Sequence, residues 1–255
     1  MGILLCSSVI TNLSYADSIQ AISKPSAEDN LAHQRLLYRD ALELARQGKW
    51  QRLKQHREQL QSYPLYPYLV YADLASNLRY SRRSEVSQYL EDYSGSIKAR
   101  HLRNHWLNYL AKRQYWSTFT RFYAPQQASI KQQCQFQLAR YYADPEDPQL
   151  DKRRAQALSA ALKLWNVGKS QPKQCDRLFN RLIADNRITE ALAWQRFNKA
   201  LINHQYQLAR YLQRFIKTPY YSQLAKLYYQ ADRSPENIGQ FQHFNNDSAE
   251  ELLII

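Results

Sequence analysis

Lys163-Leu164-Trp165-Asn166-Val167-Gly168-Lys169-Ser170-Gln171-Pro172-Lys173-Gln174-Cys175-Asp176-Arg177-Leu178-Phe179 is the stretch on which the fold reading turns. Leu162, Leu164 and Trp165 read as the apolar end of a helix. Gly168 to Pro172 cannot continue it, because glycine adds backbone freedom and proline removes an N–H donor. A cysteine follows, and Asp176-Arg177-Leu178-Phe179 opens a new helical pattern. The stretch therefore predicts two helices joined by a tight polar turn.

Outward from it the pattern is helical almost without pause. Leu37, Ala41, Leu44 and Ala45 share one helix face, and Gly48 ends that helix. Trp50, Leu53 and Leu60 mark the next. A third is expected from about 65 to 79, with Pro64 and Pro67 in its first turn. Further helices are expected at about 83–93, 97–112, 114–123, 127–142, 150–166, 173–185, 188–200, 204–214 and 219–230. Asp144 to Pro148 reads as a loop, and Ser234-Pro235-Glu236 as the start of a last helix.

A loose repeat recurs. Arg46-Gln47-Gly48-Lys49-Trp50 leads to Leu53, Lys112-Arg113-Gln114-Tyr115-Trp116 leads to Phe119, and Ala184-Asp185-Asn186-Arg187-Ile188 leads to Leu192. Each reads as a helix–helix turn followed by a bulky residue. Helix pairs recurring in this way are the mark of a solenoid, because one pair cannot bury its apolar stripe alone. The expected fold class is all-α: an α-solenoid or superhelix of stacked helical hairpins, with an irregular helical bundle as the alternative. Composition agrees. Five glycines in 255 residues disfavour a sheet protein, and 44% hydrophobic with 13% aromatic residues disfavours disorder.

The net charge of +13, from 35 basic and 22 acidic residues, favours anionic partners. Nucleic acid and peptidoglycan with its peptide carboxylates both satisfy that, as does a basic surface with no special ligand. Residues 1–16 read as an export signal: an apolar run ending in Ser14-Tyr15-Ala16, with cleavage expected after Ala16, although no Lys or Arg precedes the run. Residues 17–27 read as a flexible lead, 28–244 as the helical domain, and 245–255 as a tail or an interrupted end. No other apolar run approaches the ~18 residues of a membrane span. An exported chain would retain two cysteines, Cys134 and Cys175. Such a pair suggests a disulfide, with two buried free thiols as the other reading.

The 163–179 stretch, with Tyr63-Pro64-Leu65-Tyr66-Pro67-Tyr68-Leu69 upstream, resembles the helical superhelix of the soluble lytic murein transglycosylase family. The resemblance runs from near Gln34 to near Phe244. It implies a periplasmic, U-shaped scaffold with a cysteine pair at the places of Cys134 and Cys175. In that family a lysozyme-like domain C-terminal to the superhelix cleaves the glycan between N-acetylmuramic acid and N-acetylglucosamine. One glutamate serves as acid and then base, and the product is a 1,6-anhydro sugar. That chemistry uses a Glu-Ser motif, and no glutamate of this sequence is followed by serine. No catalytic, cofactor-binding or metal residue is therefore assigned. The expected role is the scaffold portion of such an enzyme, truncated before its catalytic domain. It would bind glycan strands or the catalytic part without cleaving. A standalone helical-repeat adaptor for an envelope protein is the rival reading, and a nucleic-acid binder is not expected.

Other constellations read as structural. Glu85 and Glu190 lie on polar helix faces, where a solvated carboxylate is expected. His101 and His105 share a helix face but lack a third ligand. Gly168-Lys169-Ser170 lacks the earlier glycine and the preceding strand of a phosphate-binding loop. Most of the twenty tyrosines, as in Arg79-Tyr80-Ser81-Arg82-Arg83, are expected to fill gaps between helices.

Overall fold

A computed structural model describes residues 27–142 and 146–236. The signal at 1–16, nearly all of the lead and the 245–255 tail fall outside the described residues. The described residues form twelve α-helices and no strand. None of these helices is long and apolar enough to cross a membrane. The chain divides into two compact units, one up to Asn77 and one from Leu78.

In the first unit, α1 (Ala27–Arg46) packs on both α2 (Trp50–Gln59) and α3 (Tyr66–Ser76). Ala41, Leu44 and Ala45 of α1 meet Leu53, Leu60, Tyr63 and Leu69 in one core. Pro67 sits in the first turn of α3, where its missing N–H costs nothing. α3 stops at Ser76, three residues before the expected end. The Ser76 hydroxyl turns back to the Ala45 carbonyl (3.3 Å), and Asn77 leaves the helical region. Between α2 and α3, Arg57 donates to the buried Asp73 carboxylate at 2.9 Å.

The second unit holds α4 (Arg83–Asp92), α5 (Ile97–Arg113), α6 (Trp116–Phe122), α7 (Ile130–Tyr142), α8 (Leu150–Trp165), α9 (Asp176–Ala184), α10 (Glu190–Ile202), α11 (Tyr206–Leu212) and α12 (Pro219–Arg233). Its packing runs mainly between helices adjacent in sequence. Second-neighbour contacts join α7 to α9 and α10 to α12. This is the contact pattern of stacked helical hairpins. Leu138, Trp165, Leu178, Leu182, Phe197, Leu212 and Leu224 lie in its core.

The sequence repeat has a physical basis in the helix ends. After α1, α5, α9 and α10 the chain places Gly48, Gln114, Asn186 and His204 in the left-handed region, at φ 70, 60, 50 and 53°. At each, the next residue's N–H reaches back to a carbonyl five residues earlier. These bonds are Lys49 to Leu44, Tyr115 to Leu110, Arg187 to Leu182 and Gln205 to Ala200, at 2.8–3.0 Å. The left-handed residue's own N–H bonds the carbonyl three residues back. The paired bonds satisfy the helix's orphan carbonyls and turn the chain sharply. Leu53, Phe119 and Ala209 then plug into the core one turn into the next helix.

Caps move several boundaries from their expected places. α7 starts at Ile130 rather than 127. The Ser129 hydroxyl accepts from the Gln132 N–H, and the Gln132 carboxamide accepts from the Ser129 N–H (2.9 Å), a reciprocal cap. α10 starts at Glu190 because Thr189 accepts from Leu192 N–H. Lys173–Cys175 is a single 3-10 turn ahead of α9.

Candidate functional site

The 163–179 stretch forms the connection from α8 to α9, and each of its unusual residues has a task. Trp165 closes α8 and is 2% exposed. The Arg196 guanidinium from α10 lies over the indole, 4.4 Å from its centre. Arg196 Nε donates to the Val167 carbonyl (3.1 Å), Lys199 Nζ to the Asn166 carbonyl (3.1 Å), and Asn166 Nδ2 to Gln195 Oε1 (3.2 Å). These bonds stitch residues 166–167 along α10. Gly168 then lies directly on the α10 backbone. A Cβ there would stand 2.3 Å from the Lys199 carbonyl oxygen and 2.6 Å from Asn203 Nδ2. Glycine is required for close approach and not for a positive φ. Gly168 thus lies against a helix carbonyl.

Past Pro172 the 3-10 turn carries Cys175 to Cys134 of α7, and the two form a disulfide with Cα atoms 5.1 Å apart. The bridge ties α7 to the start of α9. Within α9, Arg181 donates to the Tyr141 hydroxyl of α7 at 2.9 Å. The guanidinium groups of Arg154 and Arg181 lie 5.3 and 5.1 Å from the Tyr141 ring centre.

Above this lock opens a cleft of about 510 Å³, lined by residues of the 163–179 connection and of α9, α10 and α11. Trp165, Phe179 and Tyr211 line it with aromatic rings, Arg196 with a guanidinium, Asp176 with a carboxyl, and Gln171, Asn180 and Gln207 with amides. Tyr211 is 42% exposed, whereas Arg196 is 3% exposed. Burial lowers the Arg196 pKa to about 10, partly opposed by Tyr211. The side chain remains a cation at neutral pH. Its Nε–H is used on Val167, and no carboxylate among the described residues forms an ion pair with it. A second opening of about 540 Å³, beside α11 and α12, gathers Arg210, Lys226, Arg233 and Tyr229. Aromatic faces, amides and one buried guanidinium can hold a polar ring bearing an acid.

The residues weighed from sequence lie apart from this cleft, apart from the 163–179 stretch itself. Glu85 forms a two-pronged pair with Arg82 at 2.9 and 2.8 Å. Glu190 is not simply a solvated carboxylate. It accepts from the N–H groups of Lys217 and Thr218 (2.8 Å each) and from the Thr218 hydroxyl (2.6 Å), clamping the start of α12. These bonds, the Thr218 hydroxyl first, lower its pKa. His101 and His105 are both exposed on α5, and among the described residues no third ligand joins them. Tyr80 packs: its hydroxyl meets Thr118 Oγ1 at 3.0 Å, and its ring meets Tyr115 at 4.5 Å.

Sequence reasoning did not find Arg196. The signal was present, because Ala193, Arg196, Phe197, Ala200 and Leu201 share the helical stripe of the core. An arginine on a helix reads as surface unless its place in the stripe is counted.

No family model matches the chain. Over 159 residues, 62% of the chain, it is 29% identical to the soluble lytic murein transglycosylase of Escherichia coli, covering 23% of that protein. The enzyme of the same name from Salmonella typhimurium is 30% identical over 152 residues, 60% of the chain and 22% of the relative. The matched segment thus spans less than a quarter of each relative. Among solved structures, an inactive mutant of the lytic transglycosylase Slt from Pseudomonas aeruginosa is similar with a TM-score of 0.71 and 27% identity. That match covers 86% of this chain and 34% of Slt. The 70-kDa soluble lytic transglycosylase, solved in complex with bulgecin A, shares the fold with a TM-score of 0.70 and 22% identity, covering 88% and 35%.

Proposed function

Because the chain is homologous to part of the soluble lytic murein transglycosylases, we propose that it is the helical scaffold portion of such an enzyme, holding peptidoglycan glycan strands in the periplasm without cleaving them. On this reading residues 28–244 work as one domain, exported by the signal at 1–16. The partners are glycan strands and a catalytic part of the family's lysozyme-like kind. The observation that carries the reading is the match to Slt over 86% of the chain at 27% identity. The lining of the α8–α11 cleft supports it, because aromatic walls and amides suit sugar faces and hydroxyls. No residue is assigned to bond cleavage: no glutamate precedes a serine, and Glu85 and Glu190 are engaged in structural contacts.

Incubation of the purified chain with peptidoglycan sacculi tests both halves of the proposal. The chain is expected in the pellet, with no 1,6-anhydro-muropeptides in the supernatant. Release of anhydro products would refute the non-cleaving role. A pull-down from envelope extract that recovers a stoichiometric protein, with no retention of the chain on sacculi, would replace the scaffold by an adaptor.

A further inference from the structure

Arg196 is the least expected charge in the molecule. It is 3% exposed, yet no carboxylate among the described residues pairs with it. A buried cation costs desolvation unless an anion or acceptors offset it. The Trp165 face and the Val167 carbonyl account for the ring contact and for Nε–H. The two terminal NH2 groups form a planar fork suited to a carboxylate, and the side chain borders the α8–α11 cleft. Asp176 also lines this cleft. A negative charge there disfavours a doubly charged phosphate beside a single guanidinium. Tyr211 offers an exposed ring, and Asn180 and Gln207 add amides that pair with hydroxyls or with an N-acetyl group.

We propose that this cleft is a binding site for an acidic N-acetylated amino sugar, with Arg196 taking the carboxylate and Tyr211 stacking on the sugar face. The proposal rests on the glycan-holding reading and sharpens it to a subsite. In peptidoglycan the carboxylate has two sources: the lactyl ether of the muramyl residue, or an attached peptide. The basic cleft at α11 and α12 has three exposed cations and no buried one, and it carries no comparable specificity.

The test is titration of the full chain followed by the Trp165 indole N–H resonance. The ligands are N-acetylmuramic acid, N-acetylmuramyl dipeptide, neutral N-acetylglucosamine and inorganic phosphate. At least one acid is expected to shift the resonance saturably and to bind at least tenfold more tightly than N-acetylglucosamine. Whichever acid binds more tightly identifies the source. Arg196→Met keeps an apolar stem over Trp165 and is expected to bring the acid down to the affinity of the neutral sugar. Equal affinity for the neutral sugar, equal affinity for phosphate, or undiminished acid binding by Arg196→Met each overturns the assignment. Should Arg196→Met lose its fold by circular dichroism, Tyr211→Ala carries the test. It leaves Arg196 in place and is expected to weaken acid and neutral sugar alike, and unchanged binding refutes the stacking role. Sedimentation with sacculi is scored separately. Retention of the wild-type chain without acid discrimination removes only the subsite, whereas loss of retention removes the scaffold reading itself.

Discussion

Substituting Gly168 by alanine isolates the contact on which the 163–179 connection depends. The added Cβ would lie 2.3 Å from the Lys199 carbonyl oxygen and 2.7 Å from its carbon, both α10 backbone atoms that cannot rotate away. Ordinary contact begins near 3.4 Å, so the connection must retreat by ~1 Å. That retreat stretches the 3.1 Å bonds from Arg196 to Val167 and from Lys199 to Asn166 beyond hydrogen-bonding range. Overpacking costs about 1–3 kcal/mol. Loss of a charged hydrogen bond at a buried site adds about 1.5–3 kcal/mol, and the exposed lysine adds little. The expected destabilisation is about 3–4 kcal/mol, or a fall in Tm of roughly 10 °C for a chain of this size. Urea unfolding by circular dichroism, with a thermal scan, measures it. Gly95→Ala is the control. Its φ is +87° with nothing within 4 Å of the new Cβ, so its cost is conformational alone, about 1–2 kcal/mol. A Gly168→Ala cost below that of Gly95→Ala would refute the docking of this connection on α10.

Replacing Cys134 and Cys175 together by serine releases a loop with a sequence separation of 41. It should lower stability by about 4 kcal/mol in the chain-entropy model, read as a shift in the urea midpoint that reductant reproduces in the wild type. Gln114 holds φ 60° at the end of α5, so Gln114→Gly should raise stability by about 1 kcal/mol, a higher urea midpoint at unchanged slope. Glu190 has its pKa lowered from 4.5 by Thr218 and Lys217. Its contribution is therefore complete above pH 4.5 and lost as pH falls through the lowered folded value. Glu190→Gln should reduce stability at pH 7 and flatten the acid limb of a pH series, whereas an unchanged acid limb would remove the clamp on α12.

Helix order was legible because apolar residues recur at helical spacing and because few glycines or prolines interrupt them. Helix starts were less so. Ser129 with Gln132 and Thr189 with Leu192 choose a boundary by two or three residues through side-chain bonds that periodicity does not register. Three of the four left-handed turns were visible as a repeat. The fourth, at His204, was not read as part of the repeat. The cleft was not legible, because it depends on non-local pairing. Arg196 meets Trp165 from 31 positions away, and Tyr211 arrives from another helix. Gly168 was weighed from its sequence neighbours alone, and the helix it touches cannot be read from them.

The most direct test of the scaffold role is competition on sacculi. The chain, saturably bound to purified sacculi at physiological salt, is challenged with soluble glycan strands from the same material and, separately, with an equal charge of a non-glycan polyanion. The account predicts displacement by the strands at low concentration and retention against the polyanion. Equal displacement by both would reduce the interaction to the general attraction of a basic surface and contradict glycan recognition.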